Sequence, residues 1–165
     1  MDCLHFIKSH HESLKGALNV LVDTDGIKLR RALIDELTRD LTVYLALEKD
    51  YLYPEIATLF PGAEAAAAMG VANGTALTRR AKALKALVGK TAAEQEEAYP
   101  KRLRELYDAT MKHFEQEEQV LMPKMRAMIR TEDREDLGQV FLEVKSEILA
   151  AQNSESASAR SRKRA

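Results

Sequence analysis

Two stretches of this chain carry the same helical stripe, and in both the stripe is apolar at its ends and polar in its middle. Tyr44 to Pro54 reads YLALEKDYLYP, and sixty-nine residues later His113 to Pro123 reads HFEQEEQVLMP. On superposition Glu48 falls on Glu117, Leu52 on Leu121 and Pro54 on Pro123. Upstream, Ile34, Leu37 and Leu41 fall on Leu103, Leu106 and Thr110. Positions 34, 37, 41, 44, 48 and 52, and 103, 106, 110, 113, 117 and 121, advance by threes and fours. Such steps align side chains along one face of an α-helix, and that face has to be buried against other helices. A carboxylate inside the row is costly unless it is paired or bound to a metal. The polar interruption is therefore where function is expected.

The rest of the chain supplies the partners. Leu4, Ile7, His11, Leu14, Leu18 and Leu21 form a third stripe with one histidine inside it, on a helix predicted from the Asp2 N-cap to Val22. Asp23-Thr24-Asp25-Gly26 reads as a turn. A second helix is predicted over 27–59, kinked or ended near Pro54. Residues 63–89 read as a third helix, with Gly70 and Asn73-Gly74 as a candidate break. Thr91 with Glu94 forms a capping box that opens a fourth helix running to about Ile129, with Pro100 placed to split off its first turn. A short fifth helix is predicted over 132–150, and residues 151–165 read as a disordered tail. No strand-period stretch occurs. The fold class is all-α: an up-down-up-down four-helix bundle over 1–150 with a short C-terminal helix.

Composition narrows the function. A formal charge of −1 argues against specific nucleic-acid binding, although Arg160, Arg162, Lys163 and Arg164 make the tail basic. The single cysteine, Cys3, excludes an internal disulfide and fits a reducing compartment. No signal-peptide pattern or apolar run of membrane-spanning length is present, so a soluble cytoplasmic protein is expected.

Three helices thus present polar groups where an apolar layer belongs: His11, with His10 beside it; Tyr44 and Glu48; and His113, Glu117 and Glu118. A residue four before a glutamate lies one turn away on the same face, so both side chains can reach one ion between helices. Mixed nitrogen and oxygen donors suit iron, manganese or zinc. Read alone, His11 is as readily a core histidine, Tyr44 a packed aromatic and Glu117 a solvent-facing residue. The glutamates and histidines also suffice for a metal-free hydrogen-bond network.

His10-His11-Glu12, the segment ending Glu48…Leu52-Tyr53-Pro54, and His113…Glu117-Glu118…Leu121-Met122-Pro123 together resemble the hemerythrin-like, or HHE cation-binding, family over roughly residues 4–149. The resemblance implies a four-helix bundle around a non-haem di-iron centre. By that match His11 is the first-helix ligand, Glu48 and Glu118 are the carboxylates that bridge the metals, and His113 is the fourth-helix imidazole. Two departures stand out. Tyr44 occupies the second-helix histidine position, and no histidine lies between His11 and His113, where the family's third helix supplies one or two. The expectation is one iron or two unequally held, or another divalent metal. Tyr44 is a candidate ligand, and Glu117 or water completes the shell. The expected role is sensing or handling of oxygen, nitric oxide or iron.

A second reading is a bundle without metal that binds a protein partner. Leu41 to Pro54 and Phe114 to Leu121 loosely resemble a bacterial anti-sigma regulator family of the same fold. An oxygen-activating enzyme is a third, less favoured because nothing in the chain identifies a substrate. A Gly-rich phosphate loop, a CxxC pair and a Ser/His/Asp pattern are all missing from the sequence.

Overall fold

A computed structural model describes the backbone of residues 1–58 and 60–162; the side chains of 27, 92, 152, 153 and 155–162 lie outside the description, as do residues 59 and 163–165 entirely. All regular structure among the described residues is helical. Helix α1 (Cys3–Val22) starts where Asp2 accepts a hydrogen bond from the Leu4 N–H at 2.8 Å. Its buried face is the predicted stripe from Leu4 to Leu21, with His11 in the middle. Gly26 and Gly62 hold positive φ at the turns that precede α2 and α4, a conformation that costs glycine little.

The second arm of the bundle is α2 (Ile27–Leu47), a π-helical segment (Glu48–Leu52) and α3 (Tyr53–Ala57). The fourth arm repeats the arrangement with α5 (Ala92–Gln116), a π-helical segment (Glu117–Leu121) and α6 (Met122–Met128). Pro54 and Pro123 explain the coincidence. Proline has no N–H and its ring crowds the carbonyl four residues back. Widening the preceding turn to i→i−5 bonding, with Tyr53 N–H on Glu48 O and Met122 N–H on Glu117 O, brings the chain past each proline without a break. The predicted kink at Pro54 is thus a π-turn.

Three boundaries differ from the sequence pattern. Helix α4 (Ala63–Leu87) is continuous through Gly70 and Gly74, both of them buried, and Gly70 allows a close approach. A Cβ at Gly70 would run into the Tyr53 ring. Pro100 lies inside α5, which starts from the Thr91–Glu94 capping box and continues through the proline. Helix α7 (Thr131–Arg162) carries the helix past Ala150. The apolar pattern stops near Ile148, and the Ser- and Ala-rich sequence that follows lacks the glycine or proline that would end a helix.

The core falls into two apolar halves. One gathers Leu4, Ile7, Leu52, Ile56, Met122 and Met125. The other gathers Leu14, Leu18, Ile34, Leu37, Leu77 and Leu106. Each such side chain contributes about 1.5–3 kcal/mol when fully buried. Between the halves, the stripes of α1, α2 and α5 all turn polar at one level. Helix α7 packs on α1 and α2. Arg134 anchors it, bonding Ile129 O at 2.7 Å and Asp2 Oδ2 at 2.9 Å.

Candidate metal centre

The polar layer contains His11, Tyr44, Glu48, Thr110, His113 and Glu117, all buried. Helix α1 delivers His11 one turn from both Ile7 and Leu14. Its ring stacks on Phe114, with centroids 3.9 Å apart and planes at 13°. His11 Nε2 lies 2.8 Å from the Tyr44 hydroxyl and 3.1 Å from Glu117 Oε2, while Nδ1 lies 2.8 Å from Glu118 Oε1. His113 Nε2 lies 3.0 Å from Glu48 Oε2 and 3.9 Å from Glu117 Oε2. Tyr44 donates to Glu117 Oε2 at 3.2 Å, and Tyr53 donates to Glu117 Oε1.

One oxygen is left over. Glu48 Oε1 is buried and has no hydrogen-bond partner among the described residues. Two carboxyls in one dry layer also disturb each other's ionisation. Burial, then the neighbouring Glu117, pushes the Glu48 carboxyl up to about 8. Burial opposes ionisation of Glu117 too, but the bond from His11 and the charge of His113 outweigh it and hold that carboxyl low. Burial works against the charged form of His113, and its bond to Glu48 more than compensates. The Tyr44 phenol is pushed well above its ordinary range by burial and by both glutamates.

Of the two adjacent candidate ligands, the structure places Glu117 at the centre of the layer and Glu118 at its rim. Glu117, a candidate for solvent exposure on sequence grounds, is 4% exposed and central. The Glu118 side chain is 28% exposed and sits at the rim, where Lys15 Nζ meets its Oε1 at 2.7 Å. The cause is register: Glu117 is one α-turn after His113 on the inward face, and the π-helical segment begins only at Glu117. Burial opposes ionisation of Glu118, whereas Lys15 and His11 favour it and prevail.

Tyr53, which the sequence pattern does not single out as a site residue, belongs to the layer. In an α-helix a residue five after Glu48 points elsewhere, but the π-turn returns Tyr53 towards the Glu48 face. Leu-x-Pro after a buried glutamate was the available signal. Phe114 also escaped notice as the platform under His11.

Beside His113 and Glu117 is a cavity of about 50 Å³, lined by Tyr53, Met69, Gly70, Asn73 and Gln116 among others. Asn73 donates to Gln116 Oε1 at 3.3 Å, and Gln116 to Met69 Sδ at 3.4 Å, across its outer side. Helix α4 contributes no imidazole or carboxylate there.

Ligand atoms of His11, Glu48 and Glu117 all lie within 4.8 Å of one another, which is compatible with one cation held among three helices. No described helix is long and apolar enough to cross a membrane. The family model described as hemerythrin HHE cation binding domain matches residues 2–125. No curated protein and no solved structure matches the chain.

Proposed function

Because the chain belongs to the hemerythrin HHE cation-binding family, we propose that its polar layer holds one iron ion on His11, Glu48 and Glu117, with His113 as a further donor. The observation that carries this reading is the partnerless Glu48 Oε1, buried beside a second buried carboxyl. An unpaired carboxylate oxygen is expensive in an apolar interior, and a cation among the donors offsets that expense. Imidazole and carboxylate donors together suit iron, with manganese or zinc as competitors. The α4 side of the layer offers Met69, Gly70 and Asn73 instead of further ligands, which favours a single well-held ion over a symmetric pair.

Bound iron would supply a redox-active, Lewis-acidic centre. The chain's own part is to orient donors and exclude water. Tyr44 and Tyr53 both donate to Glu117 and hold its carboxyl towards the layer, and Phe114 fixes the plane of His11. Such a centre suits sensing or handling of a small diatomic gas, oxygen or nitric oxide, or of iron itself, with a protein partner reading the result. Metal analysis of protein purified from iron-supplied cells tests this. Near-stoichiometric iron is expected, and a trace amount of every transition metal would remove the reading.

One observation favours a second reading, a metal-free bundle that binds a regulatory partner. Apart from Glu48 Oε1, the described buried side-chain polar atoms already have hydrogen-bond partners, and one proton on Glu48 would remove the charge that an ion otherwise offsets. Metal-free protein that co-purifies with one defined protein would support it.

A further inference from the structure

Glu118 stands in the sequence where the family match predicts a metal bridge, but it makes a different set of contacts. Its Oε1 meets His11 Nδ1 at 2.8 Å and Lys15 Nζ at 2.7 Å. Lys15 offers donors only, so the oxygen it shares with His11 is an acceptor, and the proton in the His11–Glu118 bond belongs to Nδ1. The opposite nitrogen, Nε2, is within hydrogen-bond reach of Glu117 and Tyr44 inside the layer, where it donates to them in the metal-free network and loses that proton when a cation binds. His11 and Lys15 are one turn apart on α1, so a single helix face carries both the ring and the cation that anchors its carboxylate.

We infer that Glu118, braced by Lys15, is a positioning residue: it fixes His11 with Nδ1 protonated and presents Nε2 to the buried layer as the donor for a divalent transition-metal cation. A carboxylate on the far nitrogen sets the tautomer of a metal-binding histidine and raises its basicity. Adjacent glutamates then divide the work. Glu117 faces the ion, and Glu118 faces the imidazole that also faces it. The inference rests on the metal-site reading for the ion, but its first test needs no metal.

In the metal-free full chain, nitrogen-15 correlation spectra of the imidazoles report where the His11 proton sits. A proton on Nδ1 is expected, and Glu118→Ala should strip it from that nitrogen. A wild-type ring with a bare Nδ1, or one unaffected by Glu118→Ala, overturns the inference. Cobalt(II) titration against a chromophoric chelator supplies the second readout. Glu118→Gln should bind cobalt(II) about 10–100-fold more weakly with the wild-type absorption spectrum. Lys15→Met should weaken binding in the same direction by less. A Glu118→Gln spectrum altered as it is in Glu117→Gln would make Glu118 a ligand, and unchanged affinity would leave it no role; either overturns the inference. If wild-type protein takes up no cobalt(II), the metal-site reading falls. The proton position on His11 then decides by itself whether Glu118 orients the ring.

Discussion

Glu48 and Glu117 occupy matching positions in two copies of one helical stripe, and each is the first residue of a π-helical segment. Both put a carboxyl into the same buried layer, where Glu48 meets His113 and Glu117 meets His11. The two ends of the pair are unequal: Glu48 retains its proton more tightly than an ordinary glutamate, and Glu117 less.

That inequality sets a pH dependence for the metal-free protein. The folded value of Glu48, about 8, lies above its ordinary 4.5, so the folded chain binds this proton more tightly than the unfolded chain does. Stability from this group is present at low pH and is lost as pH rises from about 4.5 towards 8. His113 has the same sign, since its raised value favours the folded state only while the ring is protonated. Glu117 has the opposite sign, and its contribution is lost only in stronger acid. Thermal melts of metal-free protein should therefore fall in midpoint as pH rises through this window, and Glu48→Gln should flatten the slope.

Glu48→Gln also separates stability from binding. Near neutral pH the folded chain must take up a proton on Glu48 that the unfolded chain does not hold. A neutral isostere removes that cost, so the metal-free variant should be as stable as wild type or more stable, by about 1–2 kcal/mol. It should lose most of its metal affinity. Denaturant melts and a metal titration on one preparation check both signs together.

Gly70→Ala sets helix propensity against packing. Alanine in an exposed helix interior would stabilise α4 by about 1 kcal/mol relative to glycine. Here the new methyl meets the Tyr53 ring, and overpacking of that kind costs about 1–3 kcal/mol. The variant should be destabilised in denaturant melts and should hold metal less tightly, because displacing Tyr53 removes a donor from Glu117.

Tyr44→Phe should cost about 1 kcal/mol of stability through lost hydrogen bonding and leave the metal in place. The phenol is pushed far from ionising by burial and by two glutamates that already supply negative charge to the layer. Iron-loaded wild type should accordingly lack the intense visible band of a phenolate ligand. An absorption spectrum of the ferric protein, with and without the substitution, settles whether Tyr44 is a donor or a ligand.

The bundle was legible in the sequence because burial imposes periodicity. The stripe from Leu4 to Leu21, the stripe leading to Glu48 and the one leading to Glu117 all fall on inward faces. The capping box at Thr91 and the cap at Asp2 were legible because they are local chemistry. Gly70 misled because a glycine chosen for close approach looks, in one dimension, like a helix breaker. The site was legible as far as the α-helical step holds. His11, Tyr44, Glu48 and His113 obey it, and so does Glu117, which the family match passed over in favour of Glu118. Tyr53 lies beyond the change of step and was hidden for that reason. Phe114 was hidden because stacking against an imidazole leaves no mark in spacing.

The widened turns carry a consequence of their own. Each offsets the angular phase of everything downstream, so the inward faces of α3 and α6 depend on a turn of unusual width several residues earlier. Straightening the turn over 48–52 into ordinary helix with every residue kept would swing Tyr53 and Ile56 away from the interior, whereas deleting one residue there would leave both facing inward. In this chain one small irregularity in winding keeps the far half of the core and the centre in step.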